Sequence, residues 1–305
     1  MTRDEYRHLL AQRSSLQRML VGIPAGDVLD RGSVEARLLE VQQQLDAVPP
    51  DTRAPARARL TFRGRPVVGS HGIFAEFGLA ATRAFTEAVT TMAASLARPL
   101  ASSGPIPDRD QNQLLITSTA MGSFGFELEE YRDGPILFDD DCAVAKALEQ
   151  TQELLEGTAG SDDELTDAAA GVDPRVISRI REFLEALATN DAVCALEFGE
   201  KVFRFQDVGQ VRCGLARLAQ DNLHEDQESF TGEFQGVLPK RRTFEFKIAG
   251  EDTVITGKIG PGISDPDTLN QHLHETTNIA VAATRVGNGR PRYVLYQPPA
   301  WGTSR

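Results

Sequence analysis

The last quarter of the chain sets the tightest limit on its fold. Residues 229–238, 242–249 and 252–259 read as three short strands. Asp265-Pro266 starts a short helix over 265–274, and residues 277–286 and 291–297 read as two further strands. Pro239 to Arg241 and Gly250-Glu251 supply turns. Gly287-Asn288-Gly289 is a hairpin signal, because glycine accepts the positive φ such a turn demands. Five short strands with a helix between the third and fourth predict a small β-barrel over 228–298.

This element order is that of an OB-like barrel, and an SH3-like barrel with a longer insertion fits as well. Small barrels of the OB type bind single strands through stacked aromatics and a basic groove. Phe230, Phe234, Phe244, Phe246, Tyr293 and Tyr296 are available for stacking. Phe244 and Phe246 share one strand face, however, as a barrel core requires, so most of these aromatics read as core. Lys240, Arg241 and Arg242 in the first turn, with Lys247 and Arg292, are the expected contacts to nucleic acid or to a protein partner. The chain carries a net charge of −12, which argues against a surface coated in cations for duplex nucleic acid. The charge is uneven, since residues 229–305 sum to +2 and residues 1–228 to −14. That asymmetry suggests surfaces that meet different partners.

The N-terminus predicts a helical hairpin over 1–48. Thr2 and Glu5 have the spacing of a capping box, opening a helix over 3–20. Tyr6, Leu9, Arg13, Leu16 and Leu20 follow a heptad seam in which Arg13 is the misfit. A connector, Gly22 to Gly26, closes at Gly32, and a second helix is expected over 33–48. Val34, Leu38, Val41, Leu45 and Val48 repeat there at the same spacing. Each helix spans about two heptads, too short to stand alone. The pair must pack on the body or on a second copy. The narrow seam favours the second copy, with Leu9, Leu16, Leu20, Val34, Leu38, Val41 and Leu45 as self-association residues.

Pro49, Pro50 and Pro55 mark a stiff linker. A small α+β sheet domain is expected over 58–137: strands at 59–63 and 67–77, a helix over 79–97, a loop over 99–113, and alternation over 114–130. A mainly helical region with one β-hairpin is expected over 138–220. Asp139 to Asp141 precede a helix over 142–156, and residues 157–172 read as a polar linker. Asp173-Pro174 starts a further helix, residues 192–198 and 201–205 form the hairpin, and Asp207 caps a last helix to about 219.

Apolar runs such as Val67-Val68 and Leu114-Leu115-Ile116 fall far short of the roughly 18 residues of a membrane span. With no signal-peptide core at Met1, the expectation is a soluble cytoplasmic protein. Cys142, Cys194 and Cys213 are few, odd in number and far apart, which disfavours a disulfide framework or a zinc site. No metal or cofactor is expected, and no catalytic residue is assigned. Gly69-Ser70-His71-Gly72 lacks the frame of a nucleophile elbow, but His71 between glycines is a candidate for close approach by a ligand. Glu245-Phe246-Lys247 has the carboxylate–ammonium pattern of a metal nuclease strand, with only Asp226 roughly placed as the further acid. A surface ion pair accounts for it better. His272 and His274 would converge on a metal only in an extended chain.

Three functions follow in order. The first is a non-enzymatic interaction or regulatory protein, self-associating through the hairpin and presenting the barrel to a protein partner. The second is a single-stranded nucleic-acid-binding protein using the barrel. The third is an unrecognised hydrolase or nuclease. The composition, rich in Ala and Arg and poor in Lys, is that of a high-GC bacterium and suggests an accessory component of a bacterial regulatory or defence system.

Overall fold

The computed structural model describes residues 3–23, 27–46, 55–120, 124–131, 142–219, 222–287, 289–299 and 301. The expected cap at Thr2, the Pro49-Pro50 linker, the Asp139 to Asp141 run and Asn288 lie outside these residues. No helix among the described residues is long and apolar enough to cross a membrane. The chain divides into two compact units, one holding the N-terminal helices and the other all of the β-structure.

In the first unit α1 (Arg3–Gly22) and α2 (Val28–Asp46) pack along each other. Helix α2 starts earlier than the pattern suggested, so Gly32 lies inside it instead of closing the connector. The Asp27 carbonyl accepts the Arg31 amide at 3.1 Å and begins the helical ladder. One interior glycine costs about 1 kcal/mol against alanine, too little to break a helix that packs on a neighbour. Val41 and Leu45 are buried, while Leu9, Leu16, Leu20, Val34 and Leu38 are half-buried.

The second unit is α+β. Strand β1 (Arg57–Gly64) leads through a short hairpin, β2 (Val67–Val68) and β3 (Gly72–Ile73), into α3 (Ala75–Ala97). Then come β4 (Leu114–Ala120), β5 (Phe124–Glu130), α4 (Ala143–Ala159), α5 (Asp162–Ala169) and α6 (Pro174–Thr189). The hairpin β6 (Ala192–Phe198) and β7 (Lys201–Arg204) precedes α7 (Val208–Arg217). Strands β1, β4, β5, β6 and β7 form one antiparallel sheet in the order β4-β5-β1-β6-β7.

The segments expected as a small sheet domain and as a separate helical region therefore share one sheet and one core. Strand β1 pairs with β5 on one side and with β6 on the other. Its Leu60 and Phe62 are fully buried, so its backbone groups need partners on both edges. Helix α3 packs on both α4 and α6 within that core, where Phe62 meets Phe77 at 5.4 Å and Phe85 meets Phe183 at 5.5 Å. The opposite face carries charge in register: Arg59 bonds Glu127 at 2.7 Å and Glu197 at 3.2 Å, and Arg57 bonds Glu129 at 2.9 Å.

The linker expected over 157–172 is a correction. Helix α4 runs on to Ala159, and α5 fills most of what remains. Ser161 and Glu164 form a capping box, and Asp162, Asp163 and Glu164 place negative charge at the helix start. That signature outweighs the small, polar composition that read as a loop.

The remainder closes into a barrel. Strands β8 (Leu223–Leu238), β9 (Thr243–Ile248) and β10 (Val254–Ile259) are followed by a 3₁₀ turn at Pro266–His272, then β11 (Thr276–Val286) and β12 (Arg292–Leu295). The closed order is β10-β12-β11-β8-β9, with β10 parallel to β12. Residues 223–228, ahead of the strand expected from 229, are the first part of β8 and pair with β11. Hydrogen bonding to a long partner overrides the poor strand propensity of Glu225 and Asp226. Phe234, Phe244, Phe246, Ile279, Val281 and Leu295 fill the interior. At Gly232 a Cβ would lie 2.0 Å from the Lys247 carbonyl oxygen, so only glycine lets β8 and β9 approach this closely.

Candidate functional site

The outward-facing barrel residues were the leading candidates, and the structure divides them by task. Arg242 is a structural residue. Its backbone turns through φ +51°, and its guanidinium donates to the carbonyls of Ile259, Gly260 and Ile263 at 3.1, 2.6 and 2.7 Å. It ties the β8–β9 turn to the segment after β10 and is not available to a ligand.

Arg292 is likewise engaged. It makes a two-pronged pair with Asp167 of α5, and that hydrogen bond raises its pKa above the ordinary arginine value. Lys258 donates to the Asp167 carbonyl at 3.0 Å, and the Val286 amide donates to Thr166 Oγ1 at 3.3 Å. The barrel is thus fastened to α5 by its own cations and backbone. Part of the basic excess of the C-terminal segment is spent on this joint instead of on an outside partner. Charge asymmetry in the sequence was the available signal, but it did not show which acid would answer it.

Lys240, Arg241 and Lys247 remain. Lys240 and Arg241 are exposed at the tip of the β8–β9 turn and form no ion pair among the described residues. Lys247 sits opposite Glu233 across the ladder and next to a shallow open groove of about 490 Å³, lined also by Glu251, Asp252 and Thr276. That groove is mixed in charge and contains no aromatic ring. The barrel aromatics point inward: Phe234 meets Phe244 at 5.8 Å, Phe246 at 5.1 Å and Trp301 at 5.9 Å. Phe230 and Tyr293 are half-buried and pack edge to face against each other.

The nuclease-like trio does not assemble. Glu245 pairs with Gly236, ten ladder positions along β8 from Asp226. Asp226 instead lies 4.0 Å from Arg285 on the neighbouring strand. His272 stacks on Trp301 at 4.3 Å and bonds Glu275 at 2.9 Å, whereas His274 is exposed with φ +63°. The two rings serve different surroundings, and no group of three metal-binding side chains occurs among the described residues. His71 is exposed in the β2–β3 turn, its amide bonded to the Val68 carbonyl at 3.0 Å. Gly69 beside it has φ +55°, so the turn itself accounts for that glycine.

One acidic group escaped the sequence reading. Glu225 is exposed, yet partial desolvation of its carboxylate, followed by the charge of Asp173, raises its pKa. Tyr296 is pushed up by burial and by the same two carboxylates. This cluster lies where β8 and β12 meet the start of α6. Cys194 is buried at the sheet and its thiol is held protonated by burial.

The chain matches no protein-family model, no curated protein and no solved structure. What it presents must therefore be read from its own surfaces. In the hairpin, five of the seven seam residues named from sequence remain half-buried after α1 and α2 have packed together. Met19 and Leu39 are more than half exposed. Arg13 has its Nε shut off from solvent with no hydrogen-bond partner among the described residues, a cost of about 1–3 kcal/mol if it stays unmet.

Proposed function

We propose that this chain is a non-enzymatic interaction protein that self-associates through its N-terminal helical hairpin and presents its C-terminal barrel to a protein partner. The half-open seam of Leu9, Leu16, Leu20, Val34 and Leu38 supports this reading most directly. A second hairpin laid against it would complete a four-helix core and offer Arg13 an acceptor. The barrel belongs to the OB-like class in this reading. The crossover after β10, which returns β11 beside β8 and leaves β12 parallel to β10, favours that class over the SH3-like alternative.

Sedimentation equilibrium of the full chain and of Leu16→Asp/Leu38→Asp tests the self-association. The unsubstituted chain is expected to be oligomeric and the variant lighter. A variant of unchanged mass removes the hairpin from the reading. The biological setting we assign, a cytoplasmic accessory component of a bacterial regulatory or defence system, is checked by the genes that neighbour this one.

Single-stranded nucleic-acid binding is the second reading, and the exposed cations Lys240 and Arg241 favour it. Under it, the full chain shifts single-stranded DNA or RNA at low salt, and Lys240→Ala/Arg241→Ala weakens the shift. No shift at low salt ends that reading.

A further inference from the structure

We propose that the face of the open sheet opposite its helices binds the phosphodiester backbone of a single-stranded nucleic acid, through Arg63 and Arg204.

Register sorts that face into two halves. Arg63 of β1 pairs with Val193, Thr61 with Ala195, and Ala195 in turn with Arg204 of β7, so these five side chains share one face. In the half nearer Arg57 the arginines are answered: Arg57 has Glu129, and Arg59 has Glu127 and Glu197. In the other half Arg63 and Arg204 are exposed and form no ion pair among the described residues. Arg65, exposed in the turn after β1, forms none there either. Its amide donates to the Asp191 carbonyl at 3.2 Å, which sets it at the same end of the sheet. The Asp191 carboxylate at that end is already taken by Arg212, at 2.6 Å. A chain of net charge −12 thus gathers uncompensated cations at one end of one sheet face.

The spacing suits a strand of phosphates. Two strand spacings and two residues along separate Arg63 from Arg204, about 12 Å between Cα atoms. Their guanidiniums can meet neighbouring phosphates of one strand, each through two parallel hydrogen bonds.

The guanidinium fork fits carboxylate as well as phosphate. What selects phosphate is the floor between the arginines. A protein partner needs a large apolar or aromatic anchor seated at the centre of its contact. Thr61 and Val193 are small and only 7% and 8% exposed, and Ala195 adds a single methyl group. Charge alone is on offer, and a polyanion answers charge alone. With no ring between the arginines, contact is to the backbone and carries no base preference. A duplex is too stiff for this place. Its further phosphates would run onto Glu127, Glu129 and Glu197 of the same face, whereas a single strand bends away from them. This surface is separate from Lys240 and Arg241 on the barrel, and neither depends on the other.

The test titrates the full chain against a fluorescein-labelled oligothymidylate at low and then rising salt, read by fluorescence anisotropy. The variants are Arg63→Gln/Arg204→Gln and Arg63→Glu/Arg204→Glu, with far-UV circular dichroism to show that each still folds. The unsubstituted chain should bind at low salt. The glutamine pair should weaken binding about tenfold or more, and should lower the slope of log affinity against log salt by about 0.7 for each arginine lost. The glutamate pair should weaken it further. The same losses should follow in the Lys240→Ala/Arg241→Ala background. Failure of the barrel reading shows separately, as unchanged binding in Lys240→Ala/Arg241→Ala alone. Binding left intact by the Arg63 and Arg204 variants overturns the proposal, and so does a lack of binding by the unsubstituted chain at low salt. Competition by polyglutamate as strong as that by unlabelled oligothymidylate also overturns it, and makes the partner an acidic protein.

Discussion

The open sheet and the closed barrel each contain five strands, and they resolve the same difficulty in opposite ways. The barrel closes on itself, so every strand has two neighbours and its phenylalanines all turn into one interior. The sheet covers one face with helices, balances half of the other with arginine–glutamate ladders, and ends in two edges. Closure thus removes edges and leaves a surface of turns and polar strand faces. Openness leaves one face to charge. A fold built from both offers partners two kinds of surface, and strand connectivity decides which kind lies where.

The largest test of this comparison removes one ring from each core. Phe234→Ala in the barrel and Phe183→Ala in the sheet unit should each cost about 3–5 kcal/mol, since both rings are fully buried and meet other rings edge-on. Urea unfolding followed separately by Trp301 fluorescence and by far-UV circular dichroism is the measurement. Loss of the fluorescence transition alone in Phe234→Ala would show that the barrel unfolds apart from the sheet unit. Coincident transitions would show that the α5 joint couples them.

Next in size are two glycines that play one role in both architectures. A Cβ at Gly125 would lie 2.1 Å from the Leu60 carbonyl oxygen, and at Gly232 2.0 Å from that of Lys247. Gly125→Ala and Gly232→Ala should each destabilise by about 1–3 kcal/mol through strand displacement, read from denaturant midpoints. A neutral result at Gly232 would mean that the barrel wall yields more easily than the sheet.

The joint is a smaller term. Arg292→Ala should cost about 0.2–1 kcal/mol, because the Asp167 carboxylate is more than half exposed. A double-mutant cycle with Asp167→Ala isolates the pair. Increased proteolysis near 287–291 would show the barrel loosening from α5.

The smallest effect is that of pH on Glu225. Its pKa in the fold lies above the unfolded value, so the folded chain holds this proton more tightly. The group favours the fold below the ordinary carboxylate range, and that contribution is lost as pH rises through the raised value. Glu225→Gln should flatten the stability-against-pH curve across that window, by a few tenths of a kcal/mol for so exposed a group. An unchanged slope would mean that water reaches the carboxylate freely.

Much of this was legible in the chain itself. Alternation along 229–297 announced the barrel strands, and Asp173-Pro174 and Asp207 marked helix starts that the structure bears out. Local chemistry sufficed there, because a cap or an alternating face is satisfied within a few residues. The seam residues of the hairpin were equally visible as a pattern. The role of Arg242 was not, since its three carbonyl acceptors come from residues 259–263 across the barrel. Nor was that of Arg292, whose carboxylate lies 125 positions away. Charge shows in composition, but the distance between charges does not.

Taken alone, the sequence determined periodicity, caps and turns, hence which segments are helices or strands and which faces are apolar. Tertiary structure decided the rest. It put β6 beside β1, so that two apparent regions share one sheet, and it closed five strands into a barrel by returning β11 to β8. It also spent two of the candidate cations on structure and set β4 and β7 at the two ends of the open sheet. The physical reason is that a strand's backbone specifies only that it must pair. Which strand answers is fixed by long-range packing of side chains that no local window contains.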